Sequence, residues 1–280
     1  MKIAIAIPAR YASKRFPGKP LVEIDGQSML SRVVKLARKV AKPFEDIDIF
    51  VATEDERIAE HAQKIGVECV MTSDLCESGS DRTLEAIKVR EDNGIEPPDY
   101  VINLQGDAPF TPPNVLKAMI KAIEENPHAQ VLTPVHRLSW NDLDRLRESK
   151  KDTPFSGTTA IVNNEGYAMW FSKNIIPAIR KEASLREKSS ISPVYQHMGL
   201  YGFQLKFLKH FCACLPGTYE QLEGLEQLRM LENGIKITAV EIDDIKEGVI
   251  QSGIDTPEDV ARVERLLASQ KQKKQEKKAS

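Results

Sequence analysis

Residues 3–21 read IAIAIPARYASKRFPGKPL. From Ile3 to Ile7, Ile alternates with Ala, which describes a strand apolar on both faces, as in the interior of a parallel sheet. The small Ala residues suit close packing on the second face. The strand runs straight into a turn carrying Arg10, Lys14, Arg15 and Lys19, broken by Pro17 and Gly18. Open α/β sheets bind ligands at the carboxyl ends of their strands. Cations at that place neutralise a triphosphate, and Ser13 with backbone N–H groups adds hydrogen bonds. A solvated basic loop is the competing reading, and the position of the turn argues against it. The turn matches neither G-x-x-x-x-G-K-[ST] nor G-x-G-x-x-G, so kinase-type P-loop proteins and dinucleotide-binding dehydrogenases lose ground.

Outward from this strand the first half of the chain alternates strands with amphipathic helices. Strands are expected at Ile47–Ala52, Val67–Met71, Tyr100–Leu104 and Val131–Val135. Helical stripes are carried by Leu30, Val33, Val34, Ala37 and Val40, by Ile58, Ala59, Ala62 and Ile65, by Leu84 and Ile87, and by Val115, Met119 and Ile123. The rhythm predicts an α/β fold with a mostly parallel sheet flanked by helices. It breaks near residue 150. Thr158–Val162 and Tyr167–Phe171 read as a hairpin around Asn163-Asn164-Glu165-Gly166. Residues 180–193 read as a mobile polar loop, Gln196–Gln204 as a strand, Leu222–Leu231 as a helix and Ile235–Ile242 as a strand. Thr256 with Pro257 opens a last helix to Leu267. Residues 1–268 are expected to form a single domain. Residues 269–280, with five lysines and one glutamate, are expected to be a flexible tail.

Composition sets the outer limits. Across 280 residues, 39 Lys and Arg against 41 Asp and Glu leave a net charge of −2, which argues against a nucleic-acid binder that works through a global positive field. Aromatic residues are 6% of the chain, too few to suggest a base-stacking surface. No apolar run approaches the roughly 20 residues of a membrane span. The opening MKIAIAIPAR lacks the long apolar region and small-residue cleavage site of a signal peptide, so a cytoplasmic protein is expected. Cys69, Cys76, Cys212 and Cys214 read as free thiols. The cluster His210-x-Cys212-x-Cys214 lacks a second ligand pair and reads as helix packing rather than a metal site.

Two carboxylates lie where a metal could be used. Asp107 follows the strand at Tyr100–Leu104 in Asn103-Leu104-Gln105-Gly106-Asp107, and Asp255 precedes the cap of the last helix in Gly253-Ile254-Asp255-Thr256-Pro257. Either alone is weak, because Gly-Asp turns and helix caps have structural uses of their own. Taken together, P-A-R-x-x-S-x-R-x-P-G-K-P-L, Q-G-D and G-x-D-T-P-E-D resemble the cytidylyltransferases that activate 3-deoxy-manno-octulosonate (Kdo) with CTP. Glu77-Ser78-Gly79-Ser80-Asp81-Arg82, Glu165-Gly166-Tyr167-Ala168, His197-Met198-Gly199-Leu200-Tyr201-Gly202 and Leu225-Glu226-Gln227-Leu228-Arg229 extend the likeness in matching order from about Lys2 to Leu267.

The resemblance implies a nucleotidyltransferase fold, a homodimer with its hairpin and dimer region at about 155–205, and CTP bound with magnesium (Mg²⁺). It implies Arg10, Ser13, Arg15 and Lys19 as the phosphate loop, and Ala9, Arg10, Ser78 and Gln105 as cytosine readers. Asp107 and Asp255 correspond to metal ligands, and His197, Tyr201, Glu226 and Gln227 to the sugar-acid pocket. Arg10, Lys19, Asp107 and Asp255 are the catalytic set, serving lipopolysaccharide biosynthesis. Two positions depart from the familiar pattern. Ala108 follows Q-G-D where Glu is common, and Thr159 stands where a lysine is common, with Arg180 or Lys173 as compensating cations. His197 is a candidate base, a sugar-orienting group or a core histidine. Alternatives are the 8-amino-3,8-dideoxy sugar or an acylneuraminate as substrate, and a catalytically dead nucleotide-binding module, against which the intact Asp107 and Asp255 speak.

Overall fold

The computed structural model describes residues 1–12, 16–243, 245, 254 and 256–279, with side chains described through residue 269. Ser13, Arg15 and Asp255, expected in the site, lie outside the described residues. The chain divides into two compact units. The first comprises Ala4–Pro97, Asn103–Thr111 and Gly248–Ser280, and the second Met1–Ile3, Pro98–Ile102 and Pro112–Glu247.

In the first unit β1 (Ile3–Pro8) is followed by a small hairpin of β2 (Glu23–Ile24) and β3 (Gln27–Ser28), then α1 (Met29–Ala41), β4 (Ile47–Thr53), α2 (Glu56–Lys64), β5 (Glu68–Met71) and α3 (Gly79–Asp92). The strands lie in the order β5-β4-β1, and β4 and β5 run parallel with Phe50 opposite Glu68. β1 is buried along its whole length, as its two apolar faces require. Helix α1 buries Leu30, Val33, Val34, Ala37 and Val40, the stripe read from the sequence. Each of the Leu and Val side chains contributes about 1.5–3 kcal/mol by leaving water. Ser28 caps α1 by accepting the Ser31 N–H at 3.0 Å, and Asp55 caps α2 by accepting the Arg57 N–H at 3.0 Å.

The second unit contains β6 (Tyr100–Asn103), α4 (Pro113–Glu125), β7 (Val131–Ser139), α5 (Trp140–Asp152), β8 (Thr158–Val162), β9 (Ala168–Ser172), α6 (Glu182–Lys188), β10 (Ile191–His197), β11 (Tyr201–Gln204), α7 (Leu205–Ala213), α8 (Thr218–Glu223), α9 (Glu226–Glu232) and β12 (Ile237–Glu241). Its strand order is β6-β11-β7-β10-β8-β9, with β12 against β7. β12 runs parallel to β7, whereas β10 and β11 meet β7, and β8 meets β10 and β9, antiparallel. The broken rhythm after residue 150 is this change of pairing. The expected hairpin is β8–β9, whose turn is held by Asn163 Oδ1 accepting the N–H groups of Glu165 at 3.0 Å and Tyr167 at 2.8 Å.

Four local expectations are corrected. Helix α5 was not expected; Ser139 caps it and Leu143 and Trp140 bury its one apolar face against Leu138 and Val194. Residues 180–193 are not a loop but α6 and the start of β10. Their charges pair with one another and with α5: Arg147 donates to Glu182 at 2.8 Å, and Arg186 donates to Glu182 at 2.7 Å and Asp144 at 2.6 Å. The strand expected at 196–204 is two strands, separated by a tight turn in which the Leu200 N–H donates to Met198 O at 2.7 Å. The helix expected at 222–231 is split into α8 and α9 by Gly224, whose φ of 63° ends α8.

Helix α10 (Pro257–Ala279) belongs to the first unit. Thr256 and Asp259 cap it reciprocally, at 3.1 and 3.3 Å. Val263 and Ile254 complete an apolar cluster with Ile24 and Met29. The backbone stays helical through Ala279, so the lysine-rich stretch read as a frayed end continues α10. Among the described residues no helix is long and apolar enough to cross a membrane.

Candidate active site

The first unit holds a pocket at the carboxyl end of β1, lined among others by Ala9, Arg10, Lys19, Ser78, Gln105 and Asp107. These come from three stretches far apart in sequence, and backbone bonds lock the first to the third and to β4. The Ala9 N–H donates to Ala52 O at 2.9 Å, Leu104 N–H to Ala6 O at 2.9 Å and Gly106 N–H to Pro8 O at 3.1 Å. Gly106 is required by this approach, because a Cβ there would stand 3.0 Å from Pro8 O and 3.0 Å from Ala9 Cβ.

Gln105 lies against the start of α3. A Cβ on Gly79 would come within 3.1 Å of both Gln105 amide atoms. The amide donates to Asn103 Oδ1 at 3.4 Å, and Asn103 in turn donates to Ser80 Oγ at 3.3 Å. Ser78 caps α3. Its hydroxyl donates to Asp81 Oδ2 at 2.7 Å and accepts the Asp81 N–H at 3.1 Å. The Ser78 main-chain N–H also donates to Asp81 Oδ2, at 3.0 Å, so both Ser78 protons are committed to the cap and only acceptor lone pairs on its hydroxyl and carbonyl oxygens remain to meet a ligand. Cys76, not foreseen as a lining residue, donates its thiol to Glu85 Oε2 at 3.0 Å; burial and the Glu85 charge push the thiol up to about 12. A cysteine in that state is inert as a nucleophile.

Lys19 follows Gly18, which takes a φ of 69°, and its buried ammonium donates to Asp107 Oδ2 at 2.8 Å. Arg10 is exposed beside it. Among the described residues no group of three or more His, Cys, Asp or Glu is placed to hold a metal ion.

The four residues read as a sugar-acid pocket all lie in the second unit. His197 ends β10 opposite Thr158 of β8, with its ring edge-on to Phe171 at 4.9 Å and 5.6 Å from the Tyr201 ring. Thr133 Oγ1 lies 2.8 Å from His197 Nε2 and donates its single proton to Leu200 O at 2.8 Å. Nε2 must then carry the imidazole proton, which leaves Nδ1 as the acceptor. Burial, reinforced by the Lys173 ammonium, pushes His197 down to about 3. A ring held neutral in this way is a weak base, which argues against the general-base reading and leaves the sugar-orienting group and the core histidine.

Tyr201 OH donates to Gln227 Oε1 at 2.9 Å, and burial raises the phenol well above its ordinary range. Gln227 is 2% exposed, and its Nε2 is buried with no hydrogen-bond partner among the described residues. Glu226 lies close enough to Tyr201 to raise it further. Thr159, in the place where a lysine is common, is fully buried. It donates to Asn174 O at 2.7 Å and accepts the Ile176 N–H at 3.1 Å, so its hydroxyl is consumed. Lys173 is the cation near His197. Its ammonium donates to Thr158 Oγ1 at 3.3 Å and is lowered by burial, with Glu223 acting against that.

A family model described as cytidylyltransferase matches residues 4–237. A 3-deoxy-manno-octulosonate cytidylyltransferase of Maricaulis maris is 41% identical, covering 96% of this chain and 98% of the relative. An 8-amino-3,8-dideoxy-manno-octulosonate cytidylyltransferase of Shewanella baltica is 36% identical over 96% of this chain and 99% of the relative. The solved structure of a CMP:2-keto-3-deoxy-manno-octonic acid synthetase complexed with CTP superposes with a TM-score of 0.78 at 31% identity, covering 96% of this chain and all of that one.

Proposed function

The chain belongs to the cytidylyltransferase family, and from that premise we propose that it activates Kdo with CTP, giving CMP-Kdo and pyrophosphate. The observation that carries this reading is the pocket in which the cation of Lys19, the carboxylate of Asp107 and the amide of Gln105 converge at one strand end. The anomeric hydroxyl of the sugar acid attacks the α-phosphorus of CTP in line. The bond from that phosphorus to the bridging oxygen breaks, pyrophosphate leaves, and the hydroxyl proton passes to solvent.

Arg10 and Lys19, with Ser13 and Arg15 of the same loop, bind the phosphates and offset the charge that develops on the leaving pyrophosphate. Gln105, with Ala9 and the main chain at Ser78, reads the cytosine edge. Asp107 fits a Mg²⁺ ligand: it offers a partly exposed hard oxygen in the pocket, and such ions take one or two carboxylates together with phosphate oxygens. Asp255 is the expected second carboxylate. When bound, the ion would neutralise phosphate charge. Catalysis otherwise rests on positioning and electrostatics, with no covalent intermediate on the enzyme.

In the second unit Lys173 takes the carboxylate of the sugar acid, in place of the lysine absent at Thr159. The buried Gln227 Nε2 and the unprotonated Nδ1 of His197 offer a donor and an acceptor to its hydroxyls, beside Tyr201 and Glu226. The protein acts as a homodimer through the β8–β9 region, in the cytoplasm, in the supply of activated sugar for lipopolysaccharide.

Pyrophosphate release, measured with each nucleoside triphosphate and with Kdo, its 8-amino-3,8-dideoxy analogue and N-acetylneuraminate, tests this reading. The highest kcat/KM is expected for CTP with Kdo. A higher value for either other sugar acid overturns the substrate, and no release with any pair overturns the enzyme.

A further inference from the structure

At the carboxyl end of β4, one step from the pocket, Glu54 makes two contacts that no role above uses. Its Oε1 accepts the backbone N–H of Tyr11 at 2.8 Å, and its Oε2 lies 2.9 Å from Nη1 of Arg82, which lines the pocket from α3. Both side chains are largely buried, 12% exposed for Glu54 and 4% for Arg82. The same Nη1 donates to Thr72 Oγ1 at 2.6 Å, so Arg82 meets Glu54 Oε2 as an ion pair, and Oε2 accepts no hydrogen bond among the described residues.

Tyr11 is the residue at which the phosphate loop closes. The Gly18 N–H, immediately before Lys19, donates to Tyr11 O at 2.9 Å. The Gly18 backbone rests on the Tyr11 ring so closely that a Cβ there would stand 2.9 Å from Cε2. The opposite support of the ring is Arg57, whose guanidinium carbon lies 3.3 Å from the ring centroid and which Asp55 holds by bonds of 2.9 and 2.6 Å. Glu54 and Asp55, adjacent in sequence, thus act on the same post, one through its main chain and one through its ring.

We infer that Glu54 is a positioning residue for nucleotide binding: by holding the Tyr11 N–H and Arg82 with one carboxylate, it fixes the closing point of the phosphate loop relative to the α3 wall of the same pocket. The inference rests on the reading of that pocket as the CTP site. A buried ion pair that loses one member leaves the other charge uncompensated, and the Tyr11 N–H loses its charged acceptor, so the loop end and Arg82 lose their common reference together. The effect falls on nucleotide affinity, because the nucleotide bridges the two walls, and not on the second substrate.

The test compares wild type, Glu54→Ala, Glu54→Gln and Arg57→Ala by CTP titration calorimetry, by KM for CTP and for Kdo, by kcat at saturating CTP, and by thermal melting. Glu54→Ala is expected to weaken CTP binding and raise its KM roughly ten-fold or more, the consequence of losing a charged hydrogen bond. The KM for Kdo should not move, and kcat should stay within about three-fold. Glu54→Gln keeps an oxygen for the Tyr11 N–H without the charge for Arg82 and should fall between. Arg57→Ala, at an exposed side chain that threatens the fold least, should raise the CTP KM about two- to five-fold. Unchanged CTP affinity in Glu54→Gln and Arg57→Ala, or equal changes in both KM values and kcat that follow the loss of melting temperature, overturns the inference and leaves the CTP reading standing. A wild-type protein that binds no nucleoside triphosphate overturns both.

Discussion

The Lys19 ammonium lies 2.8 Å from Oδ2 of Asp107, yet the two side chains meet water very differently, at 6% and 44% exposure. The lysine is the buried member and the carboxylate the accessible one. A polyphosphate or a hydrated cation arriving in the pocket meets Asp107 first, and Lys19 holds that carboxylate in place meanwhile. Removing Asp107 outright would take a compensating charge from a buried ammonium, whereas removing Lys19 would leave a carboxylate that water still reaches.

Asp107→Asn is accordingly expected to lower kcat by about 10²-fold or more, the scale of losing a ligand that stabilises transition-state charge. Its fold should survive, because the amide oxygen introduced still accepts the hydrogen bond of the buried Lys19 ammonium. Single-turnover kinetics with a circular dichroism control checks this, and a folded variant with normal kcat removes Asp107 from the reaction.

Lys173→Met should raise the KM for Kdo about ten-fold or more and leave the KM for CTP unchanged. The ammonium is half-buried beside a neutral His197 and makes one long bond to Thr158, so the fold spends little on it. Steady-state kinetics with each substrate varied in turn decides. A shift in the CTP KM instead would assign Lys173 to the nucleotide.

Gly106→Ala places a methyl group 3.0 Å from Pro8 O and from Ala9 Cβ, both parts of the pocket floor. Backbone cannot yield as a side chain can, so a destabilisation of about 1–3 kcal/mol and a raised CTP KM are expected. Gly199→Ala is the control, with nothing within 4 Å of its added carbon. Urea unfolding of the two variants should separate them clearly.

Acid should unfold the protein through two histidines. His197 and His136 are pushed by burial to about 3 and about 4, below the ordinary value of 6.5. Between pH 6.5 and those values the unfolded chain binds protons that the folded chain refuses, so stability is full above pH 6.5 and falls as pH drops. Each histidine contributes a slope of about 1.4 kcal/mol per pH unit in that window. Urea midpoints at pH 7 and pH 5 measure the sum, and His136→Asn should remove about half of this histidine slope.

How much of this was readable before folding depends on the range of the force involved. The β1 strand, the stripe of α1, the Thr256 cap and the β8–β9 hairpin follow from contacts a few residues long, and each stands where periodicity and capping residues put it. Residues 180–193 misled because polarity was read as solvation. Asp144 and Arg147, more than thirty residues earlier, turn those charges into partners.

The site divides in the same way. The sequence nominated Arg10, Lys19, Gln105, Asp107, His197, Tyr201, Glu226 and Gln227 through the resemblance of its motifs, and the structure brings the first four into the lining of one pocket. The sequence could register that Thr159 is not a lysine, but not that its hydroxyl is consumed by Asn174 O and the Ile176 N–H. Nor could it single out Glu54, one acidic residue among many, whose weight comes from the Tyr11 N–H and Arg82 brought to it from 43 and 28 positions away. Composition, period and motif are properties of the chain as written. Which polar atom is buried, and which partner satisfies it, is decided only when distant segments exclude water from one another, because that is when an unmade hydrogen bond begins to cost.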